Sequence, residues 1–121
     1  MTNKEKALAL INTFATGDTE KAASLLSEGY IQHNLAYGTG RDAFVGSVAW
    51  LTSAPVKTTV NNIRAFEDGN YGLAVSEGTF GGTPTTYYDL FRVEDGKIAE
   101  HWDVMETLAA EDTWQNRNGK F

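Results

Sequence analysis

Between Thr85 and Met105 the chain reads TTYYDLFRVEDGKIAEHWDVM, two runs of β-forming residues on either side of Glu94-Asp95-Gly96. A hairpin here constrains the rest of the fold, because moving its pairing by one residue turns every side chain to the other face. A two-residue Asp95-Gly96 loop would set Asp89 opposite Trp102 and His101 opposite Leu90. A three-residue Glu94-Asp95-Gly96 loop, a type I turn closed by a left-handed glycine, pairs Val93 with Lys97, Phe91 with Ala99, Asp89 with His101 and Tyr87 with Asp103. The three-residue loop is expected, because it gives one face a consistent character. That face carries Tyr87, Asp89, Phe91, Ala99, His101, Asp103 and Met105, three ionisable groups ringed by aromatic and apolar side chains. Tyr88, Leu90, Ile98, Trp102 and Val104 fall on the opposite face.

Directly opposed residues bring their Cβ atoms to about 5 Å, within interaction range for Asp89 and His101. Asp103 lies two positions from His101 along the strand, roughly 7 Å away on the same face. An imidazole titrates near neutrality, and a neighbouring carboxylate favours its charged form, while two partly desolvated carboxylates push one of their pKa values up. The set is a candidate acid/base site; the plainer alternative is a satisfied polar network within a sheet.

A chain of 121 residues with 41% hydrophobic residues suits a single domain, 1–121, with a core of its own. It has no cysteine, which removes disulfides, thiol nucleophiles and Cys-ligated zinc and favours a reducing compartment. Ten Lys/Arg against sixteen Asp/Glu leave a net charge of −6, which disfavours nucleic acid and anionic membranes as partners. The first residues, MTNKEKALALINTF, are too charged and too short in apolar run for a signal peptide, so a cytoplasmic location is expected.

Ala7, Leu10, Ile11, Phe14 and Ala15 form one apolar stripe at helical spacing, ended by Gly17. Asp18 or Thr19 then caps a short second helix bearing Ala22, Leu25 and Leu26, which Gly29 is expected to stop. Tyr30 to Asn34, YIQHN, reads as a short strand with Ile31 and His33 on one face. Gly38-Thr39-Gly40-Arg41-Asp42-Ala43 fits a loose nucleotide fingerprint but has no buried parallel strand before it. It is better read as a loop into a third helix, with Thr39 and Asp42 spaced as a capping box and Phe44, Val48 and Leu51 facing inward. From Lys57 onward the chain is β: a strand to Glu67 with a bulge at Asn61-Asn62, a turn at Asp68-Gly69-Asn70, a strand from Tyr71 to Phe80, and a glycine turn into the hairpin. Helices followed by a meander give an α+β architecture.

YIQHN, the glycine-bearing loop and phenylalanine-bearing helix after it, and DLFRVEDGKIAEHWDV together resemble the SnoaL-like branch of the nuclear-transport-factor-2-like superfamily, over roughly residues 5 to 107. The resemblance implies an NTF2-like cone, in which three N-terminal helices pack into a strongly curved, mixed but mainly antiparallel sheet around a deep pocket. It implies a homodimer, no organic cofactor and no metal. It also implies that His33 faces the same cavity as the hairpin, with Ile31, Phe44, Tyr87, Phe91 and Met105 lining it. Members include polyketide cyclases, ketosteroid isomerases and dehydratases. Against the isomerases, Asp89 matches their protonated oxyanion-hole aspartate and His33 their general-base aspartate; their oxyanion tyrosine falls near Leu10, so that donor is missing. Against the cyclases, either Asp103 or Glu106 matches the essential acid/base aspartate.

The function expected from residues and resemblance together is cofactor-independent acid/base chemistry on a small, apolar carbonyl compound: aldol cyclisation, isomerisation or dehydration. His33 or the His101/Asp103 pair would take the proton, and a neutral Asp89 would hydrogen-bond the enolate. The alternative is a non-catalytic ligand-binding or assembly module of the same fold, dimeric through the apolar back of the sheet. Metal-assisted hydrolysis through His33, His101 and an aspartate is a third possibility, without the local ligand spacing such sites show.

Overall fold

The computed structural model describes all 121 residues, Met1–Phe121. Helix α1 (Asn3–Thr16) begins in a complete capping box between Thr2 and Glu5 and ends at Gly17, whose φ of 74° only glycine adopts without strain. Helix α2 (Thr19–Leu25) starts where the Asp18 side chain accepts from the Lys21 N–H. Strand β1 (Leu26–Gln32) follows at once. Gly29 therefore does not stop α2: Leu26 is already paired with Ile98, so the backbone extends three residues before the glycine.

Helix α3 (Arg41–Ser53) buries Phe44, Val48 and Leu51 as expected, but its capping box is absent. Gly40 is the cap residue, and the Thr39 hydroxyl instead accepts from the Gln32 N–H at 3.1 Å and donates to the Tyr30 carbonyl at 3.3 Å. Strands β2 (Thr59–Asp68), β3 (Tyr71–Phe80), β4 (Thr83–Glu94) and β5 (Lys97–Thr107) complete a five-stranded sheet in the order β1-β5-β4-β3-β2. β1 runs parallel to β5 and the other pairings are antiparallel, so the sheet is mixed. The irregularity in β2 falls between Asn62 and Arg64, next to the expected place. A Cβ at Gly78 would lie 2.0 Å from the Thr59 carbonyl oxygen, so only glycine lets β3 approach β2 there.

The β4–β5 turn differs from expectation. Asp95 and Gly96 both have positive φ, 51° and 77°, and Glu94 pairs with Lys97, so the loop has two residues. A two-residue loop alone would have sent His101 outward. One residue later, however, Ala99 is left unpaired: Val93 faces Ile98, while Arg92 faces Glu100. This bulge restores the parity the turn had changed. Phe91 then pairs with His101, Asp89 with Asp103 and Tyr87 with Met105. The predicted face is assembled, although each partner is shifted by one pleat. The bulge also corrects Ile98, which lies inside with no exposure rather than on the outer face.

α1 lies across β2, β3 and β4 and α2 and α3 lie against β1, and between the helices and the sheet Leu10, Tyr30, Phe44, Val48, Phe91 and Ile98 form a buried cluster. Burying each such side chain contributes about 1.5–3 kcal/mol. After β5 a single 3-10 turn, Glu111–Thr113, leads the tail back over the outer face, where Phe121 stacks on Tyr88 at 6.3 Å. No helix is long and apolar enough to cross a membrane.

Candidate active site

The parallel pairing of β1 and β5 decides which residues meet. Gln32 is in register with His101, so the two share the inner face, and the next residue, His33, must point the other way. Ile31 and His33 do share a face, but it is the outer one. Ile31 is 43% exposed, and His33 bonds Glu100 Oε2 through Nε2 at 2.6 Å while stacking on Trp102 at 5.0 Å. The resemblance placed both inside. The strand's parity overturns that, and Gln32 takes the position expected of His33.

On the inner face His101 is 3% exposed and lies against the Phe91 ring at 4.5 Å. Its Nε2 meets Asp89 Oδ1 at 2.9 Å and its Nδ1 meets Gln32 Oε1 at 2.8 Å. The Gln32 amide orientation is fixed independently, because Oε1 also accepts from the Asn34 backbone N–H at 3.0 Å. Its nitrogen donates to the Tyr30 hydroxyl at 2.8 Å. An amide oxygen only accepts, so Nδ1 of His101 must carry hydrogen. One proton is then shared between Nε2 and Asp89: either a neutral imidazole accepts from a carboxylic acid, or an imidazolium donates to a carboxylate.

Burial raises the Asp89 carboxyl above the ordinary carboxylate range, more than the His101 bond pulls it back, and Asp103 adds to the rise. Asp103, held at 3.0 Å by the Asn34 amide, stands 4.0 Å from His101 Nε2. Tyr87 lies two residues before Asp89 on the same face, and its hydroxyl is pushed up to about 12, first by burial and then by Asp89.

These groups form one wall of a hollow enclosing about 520 Å³ of atom-free space, its mouth included. The other walls are Ile11 and Phe14 of α1, Phe44 and Ser47 of α3, Thr58 just before β2, Val60 and Phe80 of the sheet, Met105 of β5, and Tyr37 from the loop before α3. Of the expected lining residues, Phe44, Tyr87 and Met105 are present. Phe91 instead lies beneath His101, as the surface on which the imidazole rests. Glu106 pairs with Lys120 at 2.7 Å and Glu77 is on the outer face, so neither joins the site. The buried side-chain oxygens without a protein partner are the Tyr87 hydroxyl, Asp89 Oδ2 and the Thr58 hydroxyl, and all three belong to residues lining this hollow.

Gln32, Asn34, Tyr37 and Thr58 were not singled out from the sequence. Gln32 had a usable signal, since in YIQHN it shares a face with the aromatic Tyr30. For a metal, Asp89, His101 and Asp103 offer ligand atoms within 4.8 Å of one another; coordination would break the Asp89–His101 bond, and His33 cannot join from across the sheet.

Residues 7–101 match the family model of the SnoaL-like domain. No curated protein matches the chain. Among solved structures, a proposed ketosteroid isomerase from Kribbella flavida is similar with a TM-score of 0.78, at 17% identity over 98% of this chain and 91% of its own. IdmH, a proposed polyketide cyclase from Streptomyces antibioticus, gives a TM-score of 0.68 at 21% identity, covering 88% of this chain and 93% of its own. An LEH-like epoxide hydrolase of M. tuberculosis gives 0.68 at 17%, covering 86% of this chain and 82% of its own. At such identities these likenesses speak to the fold alone. The match over most of its length, on three helices and a five-stranded mixed sheet, shows that the chain belongs to the SnoaL-like domain family and has the NTF2-like fold.

Proposed function

We propose that the protein is a cofactor-independent acid/base enzyme acting on a small, largely apolar carbonyl compound held in this hollow. One observation carries the reading: Asp89 presents a buried, unpartnered Oδ2 to the cavity while its Oδ1 is bonded to His101. A carboxyl so placed moves protons between a ligand and the imidazole. The proton leaves the carbon next to the carbonyl for Asp89 Oδ2, and the proton on Oδ1 passes to His101 Nε2. The electron pair moves onto the carbonyl oxygen, where the Tyr87 O–H receives it as a hydrogen-bond donor. Gln32 keeps Nδ1 protonated throughout, and Asp103 balances the imidazolium that forms.

Asp89 thus enters neutral, as expected, but its hydrogen points to His101, so the enolate donor is Tyr87. Return of the proton to another carbon is isomerisation; capture of the enolate by a second carbonyl is aldol closure; loss of a β-hydroxyl is dehydration. The outer face, where Tyr88 and Val104 remain exposed, is covered in this reading by a second copy of the chain. A monomer in sedimentation at micromolar concentration removes that part.

The test is solvent deuterium exchange into a panel of cyclic and acyclic ketones, followed by NMR. Wild type is expected to exchange the α-position and Asp89→Asn to lose it. Tight binding of those ketones without exchange would leave a binding pocket in place of an enzyme.

A further inference from the structure

Asp89 and Tyr87 account for two of the three unpartnered buried oxygens; the third, the Thr58 hydroxyl, lies elsewhere in the same cavity. Thr58 is 5% exposed and stands just before β2, two strands from β4 in the sheet. Along the strands it lies beyond Val60, which pairs with Gly78 and through it with Thr85, so Tyr87 and Asp89 sit progressively further from it. Nearby Ser47 donates its hydroxyl to the Ala43 carbonyl at 3.0 Å, which leaves only acceptor capacity towards the hollow. The wall between the two polar ends is apolar and aromatic, with Phe14, Phe44, Val60 and Phe80. No lysine or arginine lines the cavity, and the carboxyl and imidazole groups it holds are Asp89, Asp103 and His101.

From this arrangement we infer that the cavity takes an uncharged ligand with two oxygen functions, a reacting carbonyl at Tyr87 and Asp89 and a neutral hydroxyl or carbonyl at Thr58, joined by an apolar middle. The inference rests on the acid/base reading of the Asp89 end and adds the class of compound. A buried hydroxyl without a partner costs free energy that a ligand oxygen recovers, so the distal group is selected positively. A carboxylate or phosphate there would meet no counter-charge and would share a small cavity with two aspartates, so anionic substrates are selected against.

Three rigid probes separate the possibilities: a naphthol whose hydroxyl mimics the enol, a naphthalenediol with hydroxyls at opposite ends, and the naphthol bearing a carboxylate in place of the second hydroxyl. Binding is measured by calorimetry to wild type, Thr58→Val and Tyr87→Phe. The diol is expected to bind wild type about 5–10-fold more tightly than the naphthol, the value of one hydrogen bond. Thr58→Val should erase that preference and leave naphthol affinity unchanged, and the carboxylate should bind most weakly. Equal affinity for naphthol and diol, or a preference that survives Thr58→Val, overturns the distal site while the Asp89 reading stands. If Tyr87→Phe leaves naphthol affinity unchanged, the enol-binding end fails and this inference fails with it.

Discussion

The sheet carries two imidazoles one strand apart, and they are built from the same parts. His101 on the inner face rests on Phe91 and bonds Asp89; His33 on the outer face rests on Trp102 and bonds Glu100. The two are even linked, because the His33 N–H donates to the His101 carbonyl at 3.0 Å. Yet the carboxyls move in opposite directions. Burial raises Asp89, whereas hydrogen bonds from His33 and then Arg92 lower Glu100. The partner chemistry is alike, so the difference comes from solvent: inside, the charged form loses its hydration, and outside it keeps it. An imidazole beside a carboxylate is therefore not a site until its side of the sheet is known.

The largest effect expected from this contrast is on proton exchange. Asp89→Asn should lower the rate by about 10²–10⁴-fold, whereas His33→Ala should leave it within about twofold of wild type. Equal losses in the two variants would break the comparison. Gln32→Leu is the intermediate case, since it removes the acceptor that fixes His101 Nδ1–H. The expected loss is about tenfold or more, accompanied by a change in the tautomer signature of His101 in ¹⁵N NMR that simple loss of packing would not produce.

The two aromatic supports should differ in the same sense. Phe91 has no exposure and Trp102 is partly exposed. Phe91→Ala should cost about 3–5 kcal/mol in urea unfolding, as large core truncations do, and Trp102→Ala clearly less.

How far the sequence reaches can be judged on these residues. Helical stripes, the stop at Gly17 and the hairpin were legible because they follow local signals, whereas Gly29 lies inside β1 rather than ending α2. The grouping of Tyr87, Asp89, His101 and Asp103 was legible too, although by an incorrect route: a two-residue turn and a bulge at Ala99 together preserve the parity that a three-residue turn would have given. The side on which His33 lies was not legible. It depends on the parallel register of β1 against β5, a contact between segments some seventy residues apart that no local pattern encodes. The same pairing brings in Gln32, so the residue that sets the His101 tautomer is also fixed by a long-range contact rather than by any local pattern.

The smallest expected effect concerns stability against pH, where the two carboxyls act with opposite sign. Asp89 has a raised pKa in the folded protein, so between the ordinary aspartate value and the raised one the folded state binds the extra proton and the unfolded state does not. Stability from this group is thus fully present at low pH and is lost as pH rises through the folded-state value. Glu100 has a lowered pKa, so its contribution has the opposite sign: present above the ordinary glutamate value and lost as pH falls through the lowered one. Asp89→Asn should consequently flatten the decline across that window. The asparagine amide can donate to the bare His101 Nε2, so the variant should unfold at neutral pH no more easily than wild type. Glu100→Gln should act only in the acid range and weakly, in the manner of a solvated pair, with an effect that about 0.5 M salt largely removes. Melting curves of the two variants from acid to neutral pH decide the matter: slopes of the same sign would mean that the two imidazole sites do not differ in solvation after all.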